Sequence, residues 1–154
     1  MQGHWAPFGI GFVTGLRSMT AAAALSWAAS LGRTRTRWIP AGPGPRRFAT
    51  VAALAEMAGD KMPFAPDRRI PPSFAARLAI GAVGGAALAG RETTPLGAAL
   101  AGMAGAVAGT LLGGAARGAN TRSGVGWARG LTEDAVAAGL ATALVCLAER
   151  RGRA

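Results

Sequence analysis

The chain is poor in the side chains that usually carry chemistry. Its 154 residues hold one cysteine, Cys146, one histidine, His4, one lysine, Lys61, no tyrosine, and only seven Asp plus Glu. A single cysteine excludes an internal disulfide and a thiolate metal cluster. One histidine leaves a zinc site almost without ligands. No Ser, Cys or His arrangement that would activate a nucleophile is present, nor an acidic motif for a catalytic metal, so no enzyme activity, cofactor or metal is expected. The apolar runs do not alternate, which argues against strands, and lipid-exposed strands would need a closed barrel. Charged residues make up 16% of the chain, and long uncharged apolar stretches are the opposite of a disordered composition.

Small apolar residues dominate what is present. Hydrophobic residues reach 51%, and there are 38 alanines and 24 glycines. At roughly 25 cal/mol per Å² such side chains each bury little, so a water-soluble core of this size would be weak. The composition fits an all-α, polytopic helical membrane protein, a single integral membrane domain over 1–154 with four to five membrane segments packed through Gly/Ala stripes. Apolar runs near the ~20-residue spanning length fall at about Pro7–Leu31, Phe48–Met62, Phe74–Gly90, Thr93–Ala116 and Leu131–Ala148. The stretch from Pro40 to Pro45 is expected to be loop, since proline lacks an N–H and restricts its neighbour. Pro63, Pro66, Pro71 and Pro72 mark a second loop, and Asn120 to Gly126 a third. Arg17 interrupts the first apolar run, so it reads as a retained membrane helix rather than a cleaved signal.

The net charge of +10 invites a nucleic-acid reading, but the arginines lie in short runs between apolar stretches. Arg33, Arg35, Arg37, Arg46 and Arg47, then Arg68 and Arg69, then Arg150, Arg151 and Arg153, are placed as headgroup contacts would be. The expected partner is therefore the bilayer, not nucleic acid. With five crossings, nine arginines fall on one side and six on the other. The positive-inside rule then puts the N-terminus outside and the C-terminus in the cytoplasm, in the inner (plasma) membrane.

Three stripes of small residues recur at four-residue spacing, which places them on one helix face. They are Gly11 and Gly15 with Ser18 and Ala22, then Gly81, Gly85 and Ala89, then Ala101, Gly105, Gly109 and Gly113. Each lets another backbone approach closely, within the chain or in a homo-oligomer. Arg17 lies about ten residues into its run, or roughly 15 Å, near a bilayer centre where an unpaired arginine costs about 2.5–3.5 kcal/mol or more. Ser18 and Thr20 make its surroundings polar. Glu56 and Asp60 are four apart on the small face of the second segment, with Lys61 following, and are the expected partners of Arg17. Glu133 and Asp134, expected in the first turn of the last segment, form a secondary acidic site or a helix cap. Four carboxylates against Arg17 and Lys61 leave two in surplus, which points toward a proton or cation site. The lone lysine suggests a position that wants a compact ammonium.

Two motifs, Gly15-Leu-Arg-Ser-Met-Thr20 and Glu56-x-x-x-Asp60-Lys61-x-Pro63, make the chain resemble the small multi-pass membrane proteins grouped as domain-of-unknown-function family 4126. The likeness extends to the glycine-rich fourth segment and to Glu133-Asp134-Ala135. It implies a helical membrane fold and no settled activity. The family pattern often has proline after Met-Thr, whereas this chain has Ala21 to Ala24, so no proline is there to kink the first helix. Gly11-Phe-Val-Thr-Gly15 also echoes Gly105-Ala-Val-Ala-Gly109, and with three spans between them the two copies would run oppositely, as in inverted repeats. The leading expectation is a transporter or channel for a small solute or ion, built as a homo-oligomer around Arg17, Ser18, Thr20, Glu56, Asp60 and Lys61. The alternative is a non-transporting scaffold or accessory subunit whose grooves take partner helices.

Overall fold

The computed structural model describes residues 3–59, 71–117 and 125–148. Among them are six α-helices and no strand: α1 Trp5–Leu16, α2 Ser18–Ser30, α3 Pro43–Gly59, α4 Pro71–Ala87, α5 Pro95–Arg117 and α6 Val125–Leu147. Two stretches, Pro95–Ala115 and Gly130–Leu147, are long and apolar enough to cross a membrane, and Trp5–Leu16 is a shorter apolar helix.

The first apolar run is not one helix. Arg17 takes an extended conformation, φ −148° and ψ 102°, which breaks the ladder without any proline. The chain then turns back. Ile10 of α1 and Leu25 of α2 both pack on Gly84 of α4. Fifteen residues of unbroken helix would separate them by about 22 Å, so the two arms must lie side by side. Thr93, just before α5, likewise meets both Gly3 and the Arg35 guanidinium. Together α1 and α2 form a helical hairpin that enters and leaves at one end of the bundle, with Arg17 at its tip. Four longer helices, α3 to α6, run alternately up and down around it.

This threading corrects three expectations. The first run does not cross from end to end. Gly3 lies beside Thr93 and Gly90, and Arg33 reaches the last carbonyls of α6, at Val145 and Cys146, so both described ends of the chain share one end of the bundle. The echo between α1 and α5 is no inverted repeat either: Gly3 is level with Thr93 and Gly15 with Gly109 and Thr110, so the two helices run in the same direction.

Helix boundaries follow from local chemistry. The Pro40–Pro45 stretch is not all loop, because α3 starts at Pro43 and proline is tolerated in a first turn, where its missing N–H has no partner to lose. Just past the end of α2, Gly32 has a φ of 68°, the left-handed conformation glycine adopts without strain. Arg33 N–H then bonds Ala28 O and Gly32 N–H bonds Ala29 O, closing a Schellman turn. α5 opens on Thr94, whose hydroxyl accepts the Gly97 N–H at 3.1 Å, with Pro95 at the first helical position.

Glycine sets how closely the hairpin packs. A methyl group at Gly11 would collide with the Gly102 carbonyl, at Gly15 with that of Ala106, at Gly105 with that of Phe8, and at Gly109 with that of Phe12. On the other side of α5, a methyl at Gly81 would stand 2.8 Å from Gly102 O, and one at Gly85 would collide with Ala98 O. Thus α5 is flanked at backbone contact by α1 and α4. Gly113 is buried farther along the same helix. Gly102, which faces both neighbours, lies outside the Ala101–Gly113 stripe that the spacing singles out.

Candidate functional site

A broken helix exposes two sets of backbone groups inside the bundle: terminal carbonyls of α1 and leading amides of α2. Each set finds a partner of suitable charge. The Glu56 carboxylate of α3 accepts the Ser18 N–H at Oε1, 3.1 Å, and the Met19 N–H at Oε2, 3.0 Å. An anion thus caps the positive pole of α2. On the other arm, Arg77 of α4 donates from Nη1 to Gly15 O at 2.6 Å and to Thr14 O at 3.4 Å. Here a cation caps the negative pole of α1. The Thr110 hydroxyl of α5 stands 3.5 Å from the same Gly15 oxygen, and Thr14 bonds its hydroxyl back to Ile10 O at 2.8 Å. Both caps carry the sign that the helix dipoles favour.

Arg17 itself is 2% exposed and is the largest fully buried side chain. Its Nη2 meets Asp134 Oδ1 of α6 at 2.5 Å. All five remaining helices therefore contribute a side chain or amide to the tip: α2 its amides, α3 Glu56, α4 Arg77, α5 Thr110 and α6 Asp134. The arrangement holds two buried arginines against two carboxylates, each at hydrogen-bonding distance from a complementary group.

Several site expectations change accordingly. Arg17 meets Asp134 of α6, a residue not expected as its partner. Glu56 does belong to the tip, through the backbone of Ser18 and Met19. Asp134 is not in a first turn, because α6 begins at Val125 and carries it to mid-bundle; the secondary acidic site and the Arg17 site are one. Glu133 beside it is half-buried. Ser18 acts through its amide. Thr20 is 6% exposed, with no hydrogen-bond partner for its hydroxyl. Asp60 and Lys61 lie outside the described residues. Arg77 adds a third cation to Arg17 and Lys61 and so halves the expected carboxylate surplus; it is one of the six arginines that the charge count placed on the outer side. Its signal was available: a lone arginine among Ala, Ile and Gly within an apolar run.

Beside the hairpin, α2, α3 and α6 enclose a cleft of about 340 Å³. Thr20 and Met57 line it near the tip, Trp27, Thr50 and Val145 toward the open end, and Ala53, Ala138 and Ala141 between. Among the described residues no group of three or more His, Cys, Asp and Glu could hold a metal ion. No family model, curated protein or solved structure matches the chain.

Proposed function

We propose that the protein is a small multi-pass membrane protein, a transporter or channel for a small solute or ion, with the hairpin tip as its working site. The membrane reading is supported by an inverted distribution of polarity. Arg17, Arg77, Thr14, Thr20, Thr110 and Asp134 are buried, whereas Phe48, Val51, Leu54, Leu96, Leu111 and Leu112 are each at least 60% exposed. The end where the hairpin enters supports it as well. Trp5, Trp27 and Trp38 are exposed there alongside Arg33, Arg35, Arg37, Arg46, Arg47 and Arg91, the pairing of aromatic belt and basic rim found at a cytoplasmic membrane surface. In this placement α3 to α6 cross the bilayer and the α1–α2 hairpin is re-entrant. Irregular backbone at membrane depth occurs where it is buried in protein or lines a cavity. The motifs Gly15–Thr20 and Glu56–Pro63 keep the chain's resemblance to family 4126 within the same reading.

The observation that carries the transport reading is the half-helix geometry at the tip. In discontinuous-helix transporters such ends face the solute. In this chain Glu56 occupies the position that a solute anion would take at the α2 N-terminus, and Arg17 and Asp134 stand beside it as a separable charge pair. Exchange of Glu56 for a solute anion, or neutralisation of either carboxylate by a cation or proton, is the step this geometry supports. Reconstituted vesicles test it. Arg17→Ala, Glu56→Gln and Asp134→Asn are each expected to abolish flux while the protein still inserts and expresses; variants that only unfold would sink the idea. A scaffold role is the second reading, supported because every charge just described also serves to cap or pair. A stoichiometric foreign partner after purification in mild detergent would favour it.

A further inference from the structure

The cleft between α3 and α6 adjoins a second cavity of about 400 Å³ at the basic end, lined by Trp27, Pro43, Arg46, Arg47, Thr50 and Val51. Trp27 and Thr50 line both cavities, and Trp27 Nε1 donates to Thr50 Oγ1 at 3.3 Å, so the two adjoin across this pair as the unlike halves of one surface groove. The outer half is cationic. The Arg46 guanidinium lies 4.7 Å over the Trp27 ring and donates to Ser30 Oγ at 3.3 Å, which fixes its direction, while its Nε is buried without an acceptor. Neither Arg46 nor Arg47 has a carboxylate partner among the described residues. The inner half is apolar, walled by alanines with Leu54, Met57 and Val145.

We propose that this groove binds one anionic phospholipid, its phosphate between Arg46 and Arg47 and an acyl chain along the α2–α3–α6 cleft. Three features select that occupant. Two adjacent arginines with no carboxylate partner among the described residues, one of them stacked and pre-aimed, match a phosphodiester. Trp27 at the junction of the two halves suits the level where headgroup meets hydrocarbon. From Arg46 to Met57 the groove follows α3 for about 16 Å, close to one leaflet of a ~30 Å hydrocarbon core. The inference rests on the membrane placement above and not on the transport reading.

Native mass spectrometry of the full chain in detergent, titrated with phosphatidylglycerol or phosphatidylcholine of equal chain length, tests it without any flux measurement. One retained phosphatidylglycerol per chain is expected, bound well ahead of phosphatidylcholine. Arg46→Gln with Arg47→Gln should weaken phosphatidylglycerol roughly thirtyfold, the product of two near-surface arginines, and leave phosphatidylcholine unchanged. Ala138→Leu, at an exposed cleft position, should weaken both lipids. Equal retention of the two lipids by the native chain overturns the proposal. So does full competition by glycerol phosphate, which would mark a site for free anions. If Ala138→Leu instead dissociates an oligomer and leaves lipid binding intact, a second copy covers the cleft and the proposal falls.

Discussion

At the scale of single residues, Arg17 shows why a charge can stay buried. Its guanidinium is offset by Asp134, and the backbone break that its extended conformation creates is closed by Glu56 and Arg77. Removing one member of such a pair is far more costly than removing both, because the survivor keeps its desolvation penalty without its counter-charge. Arg17→Met alone should therefore lower stability by about 3–5 kcal/mol, and Arg17→Met with Asp134→Leu should recover most of that loss. A double-mutant cycle read by denaturant unfolding in detergent checks this; additive single losses would show that the two side chains act separately. Burial of Arg17 was legible in the sequence from its depth in an apolar run. Its contact with Asp134 was not, because helix order and facing are tertiary facts: Glu56 looked equally able to reach it, and Asp134 was hidden by an assumed helix start at Leu131. Arg77 was overlooked because a basic residue near a segment end resembles an interfacial anchor.

At the scale of elements, α5 acts as the rail on which α1 and α4 are seated. Gly102 meets both Gly81 and Gly11 at backbone distance, so any side chain there must push one helix away. Gly102→Ala should cost about 1–3 kcal/mol, the usual penalty of overpacking, whereas Gly139→Ala on α6, where a methyl group meets nothing within 4 Å, should be neutral or slightly stabilising. Thermal unfolding of the two variants side by side checks the contrast. Periodicity revealed the stripes through Gly11, Gly81 and Gly105 because four-residue spacing defines a face whatever it packs on. It could not reveal the hairpin. An apolar run of 25 residues satisfies one full crossing or two half-length arms equally well, and hydropathy carries no information about direction.

At the scale of the whole molecule, the hairpin changes which parts share a side. In the proposed membrane placement, His4 and the α4–α5 turn at Arg91, both exposed, lie on the same face. In a background where Cys146 is replaced, His4→Cys and Arg91→Cys should be labelled from the same side of sealed vesicles by an impermeant thiol reagent. Labelling from opposite sides would restore the five-crossing threading and remove the hairpin. The same end ties the connection to three helices: the Arg33 guanidinium holds the Val145 and Cys146 carbonyls at the C-terminus of α6, the Arg35 guanidinium binds Thr93 O ahead of α5 at 3.0 Å, and the Arg35 backbone N–H bonds Ala87 O of α4 at 2.7 Å. The 31–42 connection is thus tied down by these carbonyls, and Arg33 neutralises the negative pole of α6.

The hairpin also fixes an order of assembly. Its tip leaves the ribosome before any of the groups that stabilise it, and the last of these, Asp134, belongs to α6. In the proposed membrane placement its unmatched peptide groups and guanidinium belong in water until then, and the two short arms have no footing on the far side to hold them down. In that placement the tip is therefore late to settle, and nascent chains halted ahead of α6 should leave position 17 open to aqueous probes.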